Sequence, residues 1–278
     1  MFSTGHLIWI GISVALIIGG FIACRVLRPP LERVLRVCLW LGVVSEVVKV
    51  FSVSRMLPIV EPGIHAGKNG AEIVYNATGE YAPYLEMRHL PLELCSLMIV
   101  LIIIVLLVRD ETWRKRLLTL MYITGTIGGT LGIFLAYVAT EYATTAELFA
   151  SPRVWQYFLY HAMVVTLGLY LGFREGSGVS IRSLGSTLTL LIGLDLPSFY
   201  LNSVFAQPVY VDRSPVGLVY PMNLFSSYLN PIGLVLKEKW QWIAYLGVRL
   251  VIAVTLISFL LCLPAAFRKT RPREENPT

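Results

Sequence analysis

Apolar residues run along this chain in long stretches, and the polar positions fall mainly between them. The stretches cover roughly residues 6–27, 31–56, 90–108, 115–139, 153–173, 181–204 and 239–263. Each holds about 17–26 residues, which at 1.5 Å of rise per residue crosses about 30 Å of hydrocarbon with some tilt. The pattern predicts an all-α integral membrane protein, a seven-transmembrane-helix bundle. No repeat and no separate soluble segment is visible, so residues 1–278 read as one membrane domain.

The basic residues between the stretches set the orientation. Arg25, Arg28, Arg33 and Arg36 flank the first turn, and Arg109, Arg114, Lys115 and Arg116 flank the third. Arg174 and Arg182 flank the fifth, and Arg268, Lys269, Arg271 and Arg273 follow the last span. Short basic loops stay in the cytoplasm, so the N-terminus is expected outside and the C-terminus inside. Two long outer loops remain. Residues 57–88 are rich in Gly and Tyr and read as irregular. Residues 205–238 hold an apolar stretch from Val216 to Leu236, broken by Pro221, Asn230 and Pro231, which reads as interfacial or re-entrant.

Composition agrees with the membrane class. Of 278 residues, 56% are hydrophobic and only 14% charged, and mean hydropathy is +0.69; a soluble domain carries roughly a quarter charged residues. The net charge of +6 sits in short clusters beside apolar runs, so it reads as topology and not as a nucleic-acid surface. The first run lacks a basic leader and a small-residue cleavage site, and so reads as a retained helix.

Against this background the polar residues inside the spans stand out, because such residues are costly in hydrocarbon and mark functional cavities. Counting 1.5 Å per residue, Glu46, Lys49, Asp195 and Arg249 fall roughly 10–15 Å, and Cys95 and His161 roughly 10 Å, below the outer ends of their spans. Glu93 lies in the first turn of the third span, and His6 and His89 sit just above the layer. Cys95 follows Pro91 by about one turn, near a helix N-terminus whose free amides and dipole favour a thiolate. A thiol sharing a layer with an imidazole suits nucleophilic acyl transfer, with His161 taking the proton. Simpler roles remain open: Cys95 as a packing residue, His161 as an interhelical hydrogen-bonding group, and Glu46–Lys49 as a neutralised pair. Asp195 and Arg249 can pair between the last two spans, and a guanidinium also suits a phosphate. Thr124, Thr126 and Gly128-Gly129 suggest close packing of the fourth span. The sequence has no HExxH, Walker loop or CxxC and no lysine for a retinal Schiff base in the last span, and neither metal nor cofactor is expected.

These residues resemble the YwaF-like family of bacterial integral membrane proteins, related to the eukaryotic transmembrane protein 164 family. The resemblance rests on Phe2-Ser-Thr-Gly-His6, Ser45-Glu46, Leu90-Pro-Leu-Glu-Leu-Cys95-Ser, the isolated His161, and Asn202 before a Pro-bearing loop. It covers nearly the whole chain. It implies a multi-pass protein of the bacterial plasma membrane that acts on membrane phospholipids as an acyltransferase. Cys95 and His161 would be the catalytic pair and Glu46 would orient or charge-balance His161. Lys49, Arg249, Asp195, Asn202, His6, His89 and Glu93 are the candidate substrate-binding residues. The alternative is a transporter or small-molecule-binding membrane protein in which the same charges act without a covalent step.

Overall fold

The computed structural model describes residues 3–67, 70–86, 96–174, 176–211, 214–219 and 238–269. Its helices are α1 (Thr4–Leu27), α2 (Leu31–Val53), α3 (Leu97–Leu107), α4 (Glu111–Phe134), α5 (Thr145–Ala150), α6 (Pro152–Phe173), α7 (Leu184–Phe205) and α8 (Lys239–Lys269). Among the described residues, five segments are long and apolar enough to cross a membrane: Thr4–Leu27, Glu111–Thr140, Pro152–Phe173, Ile181–Phe205 and Trp240–Phe267. α2 is of similar length but carries Glu32, Arg33, Arg36, Glu46 and Lys49. The described part of α3 is shorter and wholly apolar.

Helix ends fall where the sequence supplies caps. Asp110 accepts from the Trp113 amide at 2.7 Å to start α4, and Ser3 accepts from the His6 amide to start α1. Thr144 and Glu147 form a reciprocal capping box at α5, a short helix hidden between the fourth and fifth apolar stretches. α1 ends differently. Its last turn closes on Arg28 in the left-handed region, φ 44° and ψ 50°, where glycine is usual. That conformation costs an L-residue about 1–2 kcal/mol, and the following Pro29 restricts it further. Pro30 then opens α2.

α4 and α6 form the centre, each with 61% of its apolar window buried, against 11–17% for α1, α7 and α8. Their contact is a glycine seam. A methyl group on Gly125 would stand 3.0 Å from the Val164 carbonyl, and one on Gly168 only 2.8 Å from the Thr126 amide. Small residues let helix backbones approach this closely, and in lipid that packing replaces the hydrophobic drive for association. The expectation of close packing in the fourth span is met, through Gly125, Gly129 and Gly132. Around the seam, Leu35, Met98, Ile102, Tyr122 and Leu167 fill one core. At the other end Trp9 stacks between Phe149 and Phe158 with Trp155 edge-on.

Polar ties fix the outer helices. Tyr122 donates to the Leu260 carbonyl of α8 at 2.8 Å, and Tyr170 donates to the Pro29 carbonyl at 2.8 Å. Arg114 pairs with Glu32, joining α4 to α2.

The described part of 57–88 corrects the expectation of an irregular loop; residues 68, 69, 87 and 88 lie outside the described residues. β1 (Arg55–Gly67) and β2 (Gly70–Tyr84) form an antiparallel ribbon, Arg55 opposite Tyr84 and Gly67 opposite Gly70. Pro58 and Pro83 are tolerated because both strands of a two-stranded ribbon are edges, and the register slips beside Pro58. The second outer loop begins with another hairpin, β3 (Gln207–Val211) with β4 (Ser214–Val219). The re-entrant reading of Val216–Leu236 thus meets a strand at its start, and its remainder lies outside the described residues. The second apolar run ends as helix at Val53, and the fourth starts at Glu111 and closes with a 3-10 turn at Tyr137–Thr140.

Candidate active site

α6 places His161 where its seam with α4 is tightest. The ring is buried, and its Nδ1 lies 2.7 Å from the Tyr157 carbonyl one turn back. A carbonyl can only accept, so Nδ1 carries the proton and Nε2 holds the lone pair. The Tyr157 ring lies against the imidazole at 4.2 Å between centroids, and Tyr160 meets it edge-on at 5.8 Å. Gly132 of α4 closes the opposite side; a methyl there would stand 2.5 Å from Nε2. No described residue hydrogen-bonds to Nε2.

The C-terminal end of α4 contributes more than shape. The last carbonyls of a helix have no intrahelical partner and seek donors elsewhere. Tyr157 donates its hydroxyl to the Gly132 carbonyl at 2.9 Å, and His6 Nε2 donates to the Ile133 carbonyl at 3.0 Å. His6 of α1 is therefore one residue along α4 from the glycine that faces His161.

A second polar group joins α2, α3 and α6. Lys49 Nζ lies 2.5 Å from Glu46 Oε2 on the same face of α2. Ser96 donates to Glu46 Oε1 at a long 3.5 Å. One residue back, Ser45 accepts from Gln156 Nε2 at 2.7 Å, and Gln156 accepts from Arg153 at 3.0 Å. Gly42, one turn further into α2, lets Ile99 and Tyr160 close in from α3 and α6. The Tyr157 carbonyl, rather than Glu46, holds the His161 ring; the described partners of Glu46 are Lys49 and Ser96. Cys95, Glu93 and His89 lie outside the described residues.

The remaining candidates meet at the interface of α7 and α8. Arg249 Nη2 donates to Asp195 Oδ1 at 2.7 Å, so the two pair as their matched depth suggested. Arg249 Nη1 is buried without a hydrogen-bond partner among the described residues. Ser198, just past Pro197, donates to the Asp195 carbonyl at 2.6 Å. Asn202, seven residues after Asp195 and so on the same helix face, is completely buried. No described hydrogen bond or ion pair links these residues to His161 or Glu46.

Sequence reasoning missed Tyr157, Gly132, Gln156 and Arg153, and used Ser45 only as a mark of the family resemblance. The signals were present: Tyr157 stands one turn before His161, and Gln156 is a polar residue in an apolar helix. Gly125, Gly129 and Gly132 share a helical face at spacings of four and three.

A model of the TMEM164 family matches residues 1–263. The chain belongs to the TMEM164 family. No curated protein and no solved structure matches it. Family membership and five long apolar helices together make this TMEM164-family chain a multi-pass integral membrane protein.

Proposed function

We propose that this TMEM164-family protein is a phospholipid acyltransferase with Cys95 as nucleophile and His161 as general base. It is one seven-helix domain, in which α2 and α3 join the five long apolar helices as spans, with the N-terminus outside and the C-terminus in the cytoplasm. The reading is supported chiefly by the state of His161. Its tautomer is fixed by the Tyr157 carbonyl, its ring is clamped, and Nε2 is left as a lone-pair acceptor in a buried place. A general base needs those properties. Ser96, the residue after Cys95, bonds to Glu46; α3 therefore begins beside the polar groups of α2 and α6.

The chemistry runs in two halves. Nε2 takes the Cys95 proton, and the thiolate attacks the carbonyl carbon of a phospholipid ester. The ester C–O bond breaks, the imidazolium returns its proton to the departing lysolipid oxygen, and an acyl thioester remains. Nε2 next takes the proton of an acceptor lysolipid hydroxyl, whose oxygen attacks the thioester carbonyl. The Cys95 thiolate leaves and recovers its proton from the imidazolium. Lys49 and Arg249 are the cations suited to the lipid phosphate; the unpartnered Nη1 of Arg249 supports the latter.

The test is the phospholipid profile of cells expressing the wild-type chain, Cys95→Ala or His161→Ala. Acyl remodelling should vanish without the thiol and fall about 10²–10⁴-fold without the imidazole. A well-expressed Cys95→Ala protein that remodels lipid at the wild-type rate would exclude the thiol as nucleophile. A non-covalent binding or transport role would then be the better reading.

A further inference from the structure

The turn between α1 and α2 and the basic end of α6 enclose space that the acyl-transfer reading does not use. α1 and α2 each pack along α6 yet barely touch one another, although only residues 28–30 join them. Two prolines in that turn stiffen it and hold the helices apart. The slot left between them is a cavity of about 430 Å³, within the usual range of ligand pockets, roughly 300–1,000 Å³. Val37 and Cys38 of α2, Leu16 of α1 and the short side chains of Ala162 and Thr166 on α6 line it. It continues past Cys24, Pro29 and Tyr170 into a smaller pocket of about 210 Å³ with a different lining. That pocket is ringed by Arg25, Arg28 and Arg174, and Arg33 stands at the slot.

Three features make this more than a basic loop at a membrane surface. Among the described residues no carboxylate lines either cavity; the nearby Glu32 is engaged by Arg114. The turn is built in place. Tyr170 holds the Pro29 carbonyl, and Arg25 donates to the Phe173 carbonyl at 2.9 Å. Arg28 occupies a left-handed position that glycine would fill without strain. A strained residue that persists beside a cavity points to a function for its side chain.

Dimensions fit one leaflet. From Arg25 to Leu16 is nine residues of α1, roughly 13 Å, close to half of the ~30 Å hydrocarbon core. We infer that the pocket and slot between α1, α2 and α6 bind one anionic glycerophospholipid, with its phosphate among Arg25, Arg28 and Arg174 and an acyl chain in the slot. The bound lipid belongs to the leaflet at the basic end of the helices. Arg174, at the phosphate end, is thirteen residues from His161 along α6, roughly 20 Å away; the apolar slot reaches back to Ala162 beside His161, and the titration below reads lipid binding without any acyl transfer.

The experiment is a titration of the purified full chain, in non-ionic detergent, with a fluorescent short-chain phosphatidylglycerol. Phosphatidylcholine of the same chains and inorganic phosphate are the comparison ligands. Phosphatidylglycerol should bind at least tenfold more tightly than phosphatidylcholine, and inorganic phosphate should not displace it at equal concentration. Each arginine removed should weaken it about fivefold, the worth of one cation near an anionic lipid. Arg28→Gly separates binding from folding because its two effects oppose: lipid affinity falls while the lipid-free protein melts at a higher temperature. Arg174→Gln supplies the same loss of affinity without altering the turn. Equal affinity for the two lipids, or wild-type phosphatidylglycerol binding by Arg28→Gly and Arg174→Gln, would overturn the proposal. Displacement by inorganic phosphate at equal concentration would assign the pocket to the free anion.

Discussion

Gly132→Ala is the most informative single change, because one methyl group meets the His161 ring directly. The new Cβ would stand 2.5 Å from Nε2 and closer still to Cδ2, whereas carbon contacts settle near 3.5–4.0 Å, so the ring must retreat by at least about 1 Å. It has nowhere to go without breaking the 2.7 Å bond to the Tyr157 carbonyl, because the Tyr157 ring backs it at 4.2 Å. Losing that bond costs about 1 kcal/mol, and crowding a packed site costs a further 1–3 kcal/mol, roughly. Replacing a helical glycine by alanine returns up to about 1 kcal/mol of backbone entropy. The net is a destabilisation of roughly 1–3 kcal/mol. The assay is reversible denaturation in mixed micelles of Gly132→Ala, His161→Ala and the double variant. With the imidazole gone the methyl fits, so the double variant should be more stable than the sum of the singles by at least about 1 kcal/mol. Additivity within about 0.5 kcal/mol would show that Gly132 and His161 do not touch, and would remove the clamp from the argument. Any acyl transfer should fall about 100-fold in Gly132→Ala, as expected for a base misplaced by 1 Å.

Two further outcomes follow from other parts of the molecule. Asp195→Leu should destabilise by roughly 1–3 kcal/mol, less than a fully buried pair because both partners are about a third exposed, and adding Arg249→Met should recover most of the loss; a double variant no better than the single would mean the pair is incidental. A protease site placed after Thr278 should resist external protease in intact cells, as the basic loops require; ready cleavage would invert the topology and turn the basic end of α1 outward.

The positions of the helices were legible because apolar runs interrupted by basic clusters leave few alternatives. α1, α6 and α7 begin and end within a few residues of the expected spans. The ribbon over 55–84 was less visible, since prolines at 58, 62 and 83 break the alternation that marks a strand. The Asn69-Gly70 pair nevertheless carried a hairpin signal. The pairs Glu46–Lys49 and Asp195–Arg249 could be anticipated, one from helical spacing and the other from matched depth. The clamp around His161 could not be read in full. It depends on α4 and α6 meeting at a register set by several glycines together, and on free carbonyls at the end of α4. No single span contains either fact.

The bond from Arg25 to the Phe173 carbonyl joins residues 148 positions apart. At synthesis rates of about 5–20 residues per second, the first helix enters the bilayer roughly 7–30 s before the end of its main packing partner has been made. During that wait Trp9, Ser13 and His6 have neither α4 nor α6 to shelter them. α4 and α6, by contrast, emerge close together and can zip along their glycines at once. α1 and α2 thus spend their earliest seconds as unpartnered helices with His6, Ser13, Glu46 and Lys49 not yet covered by α4 and α6. The chain's yield in a membrane is set by whatever holds α1 and α2 until residue 173 arrives.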